Sequence, residues 1–193
     1  MRCLSAEEVA EQFGTAGFRV SDEHRWYRRA LVLDAKLAAK QVRVPAGPPE
    51  SRRLPLFLVA VNAWLRPSSG RLLWVDHWED GIYHDPAALL VAARNGIGES
   101  RSIDEAPGNY FEPHPYEEQD QSEWSQEQRL EAGLLVGLLS LLIVQESDGW
   151  LIADGGGDRF EVWEGNIFFH SADRAKIDEA RTLVRDFECG EVQ

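Results

Sequence analysis

Apolar residues recur along this chain in two rhythms, and the switch between them marks out its elements. Val9 and Phe13 lie four residues apart behind a capping box of Ser5 and Glu8. Leu4 and Val9 hold the staple positions, and Gly14 and Gly17 follow the last turn. This pattern predicts a first helix with Val9 and Phe13 facing the core. Segments rich in β-forming residues come next: Trp26–Leu33, Gln41–Val44, Leu54–Leu65 and Arg71–Trp78. Turn chemistry at Ala46–Ser51 and Arg66–Gly70 separates them, so we expect antiparallel neighbours. Leu54–Leu65 is apolar on both alternating faces except at Asn62. That is the pattern of a central strand covered on both sides, with Pro55 at its beginning.

The second half returns to helical spacing. Asp85 as N-cap, Pro86 at the first helical position and Asn95-Gly96 as a stop bound a second helix. A long polar stretch, Gly98–Trp124, carries Pro107, Pro113 and Pro115. A structureless stretch of that length inside a domain is often functional. Ser125 and Gln128 then cap a third helix whose body, Leu130–Val144, is apolar nearly all round and is expected to be buried centrally. Gly133, Gly137 and Ser140 share one of its faces, where another backbone is expected to come close. Trp150–Ala153, Arg159–Trp163 and Ile167–His170 read as a meander, with a tight turn at Glu164-Gly165-Asn166. A fourth helix is expected from Ser171, with Ile177, Ala180, Val184 and Phe187 on one face. The fold class is therefore α+β, a mainly antiparallel sheet with about four helices, in a single domain over residues 1–193.

Charge changes the functional picture more than the fold. The chain carries −13, of which residues 1–53 contribute +3 and residues 54–193 contribute −16. Such a body repels phosphate backbones and anionic membranes, both of which are bound through Lys and Arg. It attracts a basic partner. Between Arg101 and Arg129 stand eight acidic side chains and no basic one. The N-terminus has no apolar signal core, and the apolar helix is too short and too acidic at its flanks to span a bilayer, so we expect a cytoplasmic protein. Cys3 and Cys189, one near each end, do not form a disulfide framework and read as reduced thiols, with a bond between the two chain ends as the alternative.

Candidate chemistry concentrates in Trp74–Asp85. His77, Glu79 and His84 are the residue types that hold a divalent metal, and His77 and Glu79 would point the same way from a strand. Their spacing matches no established motif, so we expect no metal and no cofactor. Trp78 and Tyr83 are instead the types that anchor protein interfaces. The glycine run Asp154–Asp158 lacks the further ligands of a calcium loop and the Lys of a phosphate loop, and reads as a hairpin turn. Arg25, Arg28 and Arg29 alternate faces around Trp26 and Tyr27, so the one basic aromatic patch splits in two. His170, next to the expected Ser171 cap, reads as a structural histidine.

In composition the chain is similar to bacterial immunity proteins and other stoichiometric inhibitors. The expected function is a non-catalytic, protein-binding domain whose acidic surface engages a basic partner. Its contact residues are Trp78, Tyr83, Asp104, Glu105, Glu112, Glu117, Glu118, Asp120 and Glu123. The alternative is a metal-assisted hydrolase centred on Trp74–Asp85. Neither reading involves a membrane or a nucleic acid, and association with a second copy stays open.

Overall fold

The computed structural model describes residues 2–3, 6–21, 30–65, 71–75, 110–112, 126–153 and 157–192. They form an α+β fold. The helices are α1 (Ala6–Phe13), α2 (Ala35–Ala38), α3 (Leu54–Leu65), α4 (Gln126–Val144) and α5 (Arg174–Asp186). The strands are β1 (Arg2–Cys3), β2 (Phe18–Ser21), β3 (Ala30–Leu33), β4 (Val42–Ala46), β5 (Arg71–Val75), β6 (Tyr110–Glu112), β7 (Gly149–Ala153), β8 (Arg159–Trp163) and β9 (Asn166–Ser171). Every pairing is antiparallel. The main sheet runs β1-β6-β5-β7-β8-β9-β4, and β2-β3 forms a separate ribbon.

The expected meander is present as β7-β8-β9. Its second turn places Glu164 at φ 47° and Gly165 at φ 74°, the paired positive angles of a two-residue hairpin that matches strand twist. Such a turn fixes register: Trp163 opposes Asn166, and Arg159 opposes His170. All six residues of β9 are buried, so helices cover one face of the sheet and other groups cover the opposite face.

Leu54–Leu65 is a helix and not the expected central strand. Leu54, Phe57, Leu58, Val61, Trp64 and Leu65 are buried, a spacing that fits only the helical period. Its outer face is apolar too, with Leu56 and Val59 exposed, and an apolar residue on every side hides either rhythm. Length decides instead. Twelve residues exceed a usual strand, and Pro55 in the first turn leaves no helical hydrogen bond unmade. Lys176 secures the far end by donating to the Leu65 carbonyl at 3.2 Å, a cation where α3 presents its negative pole. Trp64 Nε1 donates to the Lys176 carbonyl at 2.9 Å.

Helix α3 contacts α4, α5 and β8, and the three helices share one continuous core with the inner face of the sheet. At its centre Phe57 meets Phe160, Phe169 and Phe187 edge-on at 5.5–6.2 Å. In α4, Leu135, Leu138, Leu139 and Leu142 are buried as expected. Among the described residues the expected close approach at Gly133 and Gly137 is not found, because a Cβ at either would meet none of them within 4 Å. The tight approach occurs instead at Gly149, where a Cβ would come within 2.8 Å of the Trp74 carbonyl and 2.9 Å of Leu142. The α5 cap is Asp173 and not Ser171: Asp173 accepts from the Ala175 N–H, while Ser171 ends β9 and accepts from the Asp173 N–H.

The other sheet face carries a second, smaller core. Val9, Phe13, Phe18, Leu31 and Leu33 from α1 and the β2-β3 ribbon cover Leu72, Trp74 and Ile152. As expected, Val9 and Phe13 face inward, and Gly17 closes the turn after α1 at φ 85°.

Candidate functional site

The covered apolar area ends at β7. Beyond it, the same face of β8, β9 and β4 carries Glu161, Arg159, His170 and Arg43 beside Phe168 and Pro45, and antiparallel register arranges it in two rows. One row runs Trp150, Glu161, Phe168 and Pro45; the other runs Ile152, Arg159, His170 and Arg43. Neighbouring rows bring Glu161 diagonally against His170, within reach of its ring.

These side chains bind one another. His170 Nε2 lies 2.5 Å from Glu161 Oε2, and Arg159 Nη2 lies 3.2 Å from His170 Nδ1. An arginine only donates, so Nδ1 accepts and Nε2 carries the proton that Glu161 receives. The other Glu161 oxygen accepts from Trp150 Nε1 at 3.1 Å. Arg159 Nη1 donates to Gln41 Oε1, and Gln41 Nε2 donates to the Gly157 carbonyl at 2.5 Å. The Arg43 guanidinium stacks 3.6 Å above the Phe168 ring.

Burial and charge set the protonation states. Burial lowers the His170 pKa below its usual value, and the positive Arg159 adds to this against the pull of Glu161. Burial alone would raise Glu161, but the His170 hydrogen bond and the charges of Arg159 and Arg43 outweigh it and hold the carboxyl below its usual range. The state at neutral pH is thus a neutral imidazole between a carboxylate and a guanidinium. Both ring nitrogens are engaged, which leaves no free lone pair to accept a substrate proton. The cluster ties β4, β8, β9 and the Gly157 turn together and acts as a polar lock. At the same turn Asp158 pairs with Lys176 at 2.8 Å, joining it to α5.

Sequence reasoning took His170 as structural but missed Arg159, Glu161 and Gln41. The signal was available for the first two. A two-residue turn at Glu164-Gly165 dictates that Arg159 opposes His170, and Glu161 then sits on the same face.

The predicted contact residues are mostly beyond reach of the structure. Glu112 lies in β6, whose backbone pairs on one side with β1 at Arg2↔Glu112 and on the other with β5 at Trp74↔Tyr110. Trp78, Tyr83, Asp104, Glu105, Glu117, Glu118, Asp120 and Glu123 lie outside the described residues, as do His77, Glu79 and His84. No model of a known family, no curated protein and no solved structure matches the chain.

Among the described residues, no three His, Cys, Asp or Glu side chains gather as a metal site, and no helix is long and apolar enough to cross a membrane. Cys189 is a free thiol, and burial pushes its pKa up to about 11. A groove of about 710 Å³ opens between α3 and α5, lined by Ala60, Ala63, Trp64, Ala175 and Leu183 with Asp178 and Glu179 beside them.

Proposed function

We propose that the protein is a non-catalytic binding domain that engages a basic partner through the acidic stretch 104–127. The observation that carries this reading is the position of β6. Tyr110–Glu112 is hydrogen-bonded between β1 and β5, and α4 begins at Gln126, so the stretch is held at the sheet by β6 and continues into a core helix. Eight carboxylates on a segment tethered to a packed core lose less freedom on binding than the same charges on a free tail. The Arg159–Glu161–His170 cluster also favours a binding role over a catalytic one, since both nitrogens of its histidine are already committed, one to Arg159 and one to Glu161.

The test is affinity capture at low salt and at about 0.5 M salt, where the screening length falls to roughly 4 Å. The wild type is compared with a chain in which Asp104, Glu105, Glu117, Glu118, Asp120 and Glu123 are replaced by their amides. A basic protein that is captured at low salt, and released both by high salt and by the amide substitutions, supports the reading. Retention that ignores both changes would refute it.

A further inference from the structure

We infer that the exposed face of α3 is a self-association surface, on which two copies of this chain pack their α3 helices antiparallel about a two-fold axis between Val59 and Ala60. The first support is composition. Helix α3 has no charged residue, and the face it turns outward carries Leu56 at 68% and Val59 at 42% exposure, beside the groove at Ala60 and Ala63. Apolar surface of that kind, lying along one helix and rimmed by polar residues, marks an interaction site.

The second support is shape. The large outward residues, Leu56 and Val59, stand in the N-terminal half of α3, and the small ones, Ala60 and Ala63, stand in the C-terminal half where the groove opens. An antiparallel two-fold therefore sets Leu56 of one copy opposite Ala63 of the other, and Val59 opposite Ala60. Each large side chain meets a small one twice over, which is the self-complementarity an isologous contact requires.

The third support is charge, and it selects the occupant. The chain as a whole carries −13, so most of its surface repels a second copy. The uncharged α3 and the neighbouring α5, with four basic and three acidic residues, do not. The charges bordering this face are already neutralised within each copy, Arg52 by Glu50 and the groove-lining Asp178 by Arg181, both at 2.8 Å. A strongly basic partner gains little from such a balanced face; a second copy meets no repulsion there.

This inference stands apart from the acidic-stretch reading, and salt separates the two. Screening weakens a contact with a basic partner but relieves repulsion between two acidic chains, so self-association should strengthen as salt rises. The experiment is sedimentation equilibrium of the intact chain from about 1 µM to about 100 µM, at low and high salt. A reversible dimer is expected, with a Kd that Ala63→Arg and Val59→Lys each raise about thirtyfold or more. Both positions are exposed, and an unchanged melting curve below the association range verifies the fold. In a Cys3→Ser, Cys189→Ser background, Ala60→Cys should cross-link to its own counterpart on mild oxidation, because it lies beside the axis. A chain that stays monomeric throughout the range overturns the inference. So does a dimer indifferent to both substitutions, or one that gives no Ala60→Cys cross-link.

Discussion

Replacing Leu56 and Leu58 separately by alanine distinguishes a helical α3 from a strand more sharply than any other pair of substitutions. In a strand, residues two apart point to the same face, so the two changes would cost about the same. In the helix, Leu58 is fully buried in the core beneath α3, whereas Leu56 is 68% exposed. Truncating a fully buried leucine in a packed interior costs about 3 to 5 kcal/mol, combining lost transfer energy with the cavity left behind. Truncating an exposed one costs less than about 0.5 kcal/mol, and alanine's helix propensity offsets part of that. Urea unfolding, followed by far-ultraviolet circular dichroism, reads the difference. With a slope of about 2 kcal/mol per molar, Leu58→Ala should lower the midpoint by roughly 1.5 to 2.5 M and Leu56→Ala by no more than about 0.25 M. The protein should be dilute, so that any self-association does not enter the apparent stability. Similar midpoint losses in the two variants would refute the helical assignment and the core built on it.

Other consequences follow from particular contacts. Gly149→Ala should destabilise by about 1 to 3 kcal/mol, because its Cβ would press on the Trp74 backbone carbonyl, which cannot swing aside; a melting temperature within a degree or so of wild type would contradict this. The polar lock makes stability depend on pH. His170 and Glu161 both have lowered folded-state pKa values, so each contributes stability that is present above its unfolded value and lost as pH falls through its folded one. Stability should therefore decline on acidification from about pH 6.5, the unfolded histidine value, and His170→Gln should flatten the upper part of that decline. Cys189, with its pKa raised to about 11, should be alkylated at pH 8 about a hundredfold more slowly than an ordinary thiol, measured in a Cys3→Ser background. Glu146, in left-handed backbone at φ 53° after α4, should gain up to about 1 kcal/mol of stability on replacement by glycine, read from the same urea transitions.

How far the sequence revealed this protein depended on whether local signals agreed with tertiary ones. The β7-β8-β9 meander was legible because turn residues and strand formers coincide, and α5 because Ile177 and Ala180 keep one face buried. Helix α3 was not, since Leu56, Val59, Ala60 and Ala63 leave its outer side as apolar as its inner one and erase the contrast on which periodicity relies. The small-residue stripe of α4 misled in the opposite sense. Spacing showed that Gly133 and Gly137 share a face, but not that this face meets none of the described residues closely. The Arg159–Glu161–His170 cluster lay hidden because it spans two strands, and only the register set at Glu164-Gly165 brings its members together. The acidic stretch was plain from composition, whereas its attachment through β6 depends on a three-residue strand too short to carry a pattern of its own.

The central claim is that an acidic stretch held on this sheet recruits a basic protein by charge. It is tested most directly by the association rate with the captured partner at low and at high salt. Electrostatic steering predicts a rate that falls at least tenfold between about 0.05 and about 0.5 M salt, with a smaller change in dissociation. The sixfold amide variant should start near the slow limit and stay there. Equal rates at both salt concentrations, or a variant that associates as fast as wild type, would contradict the account.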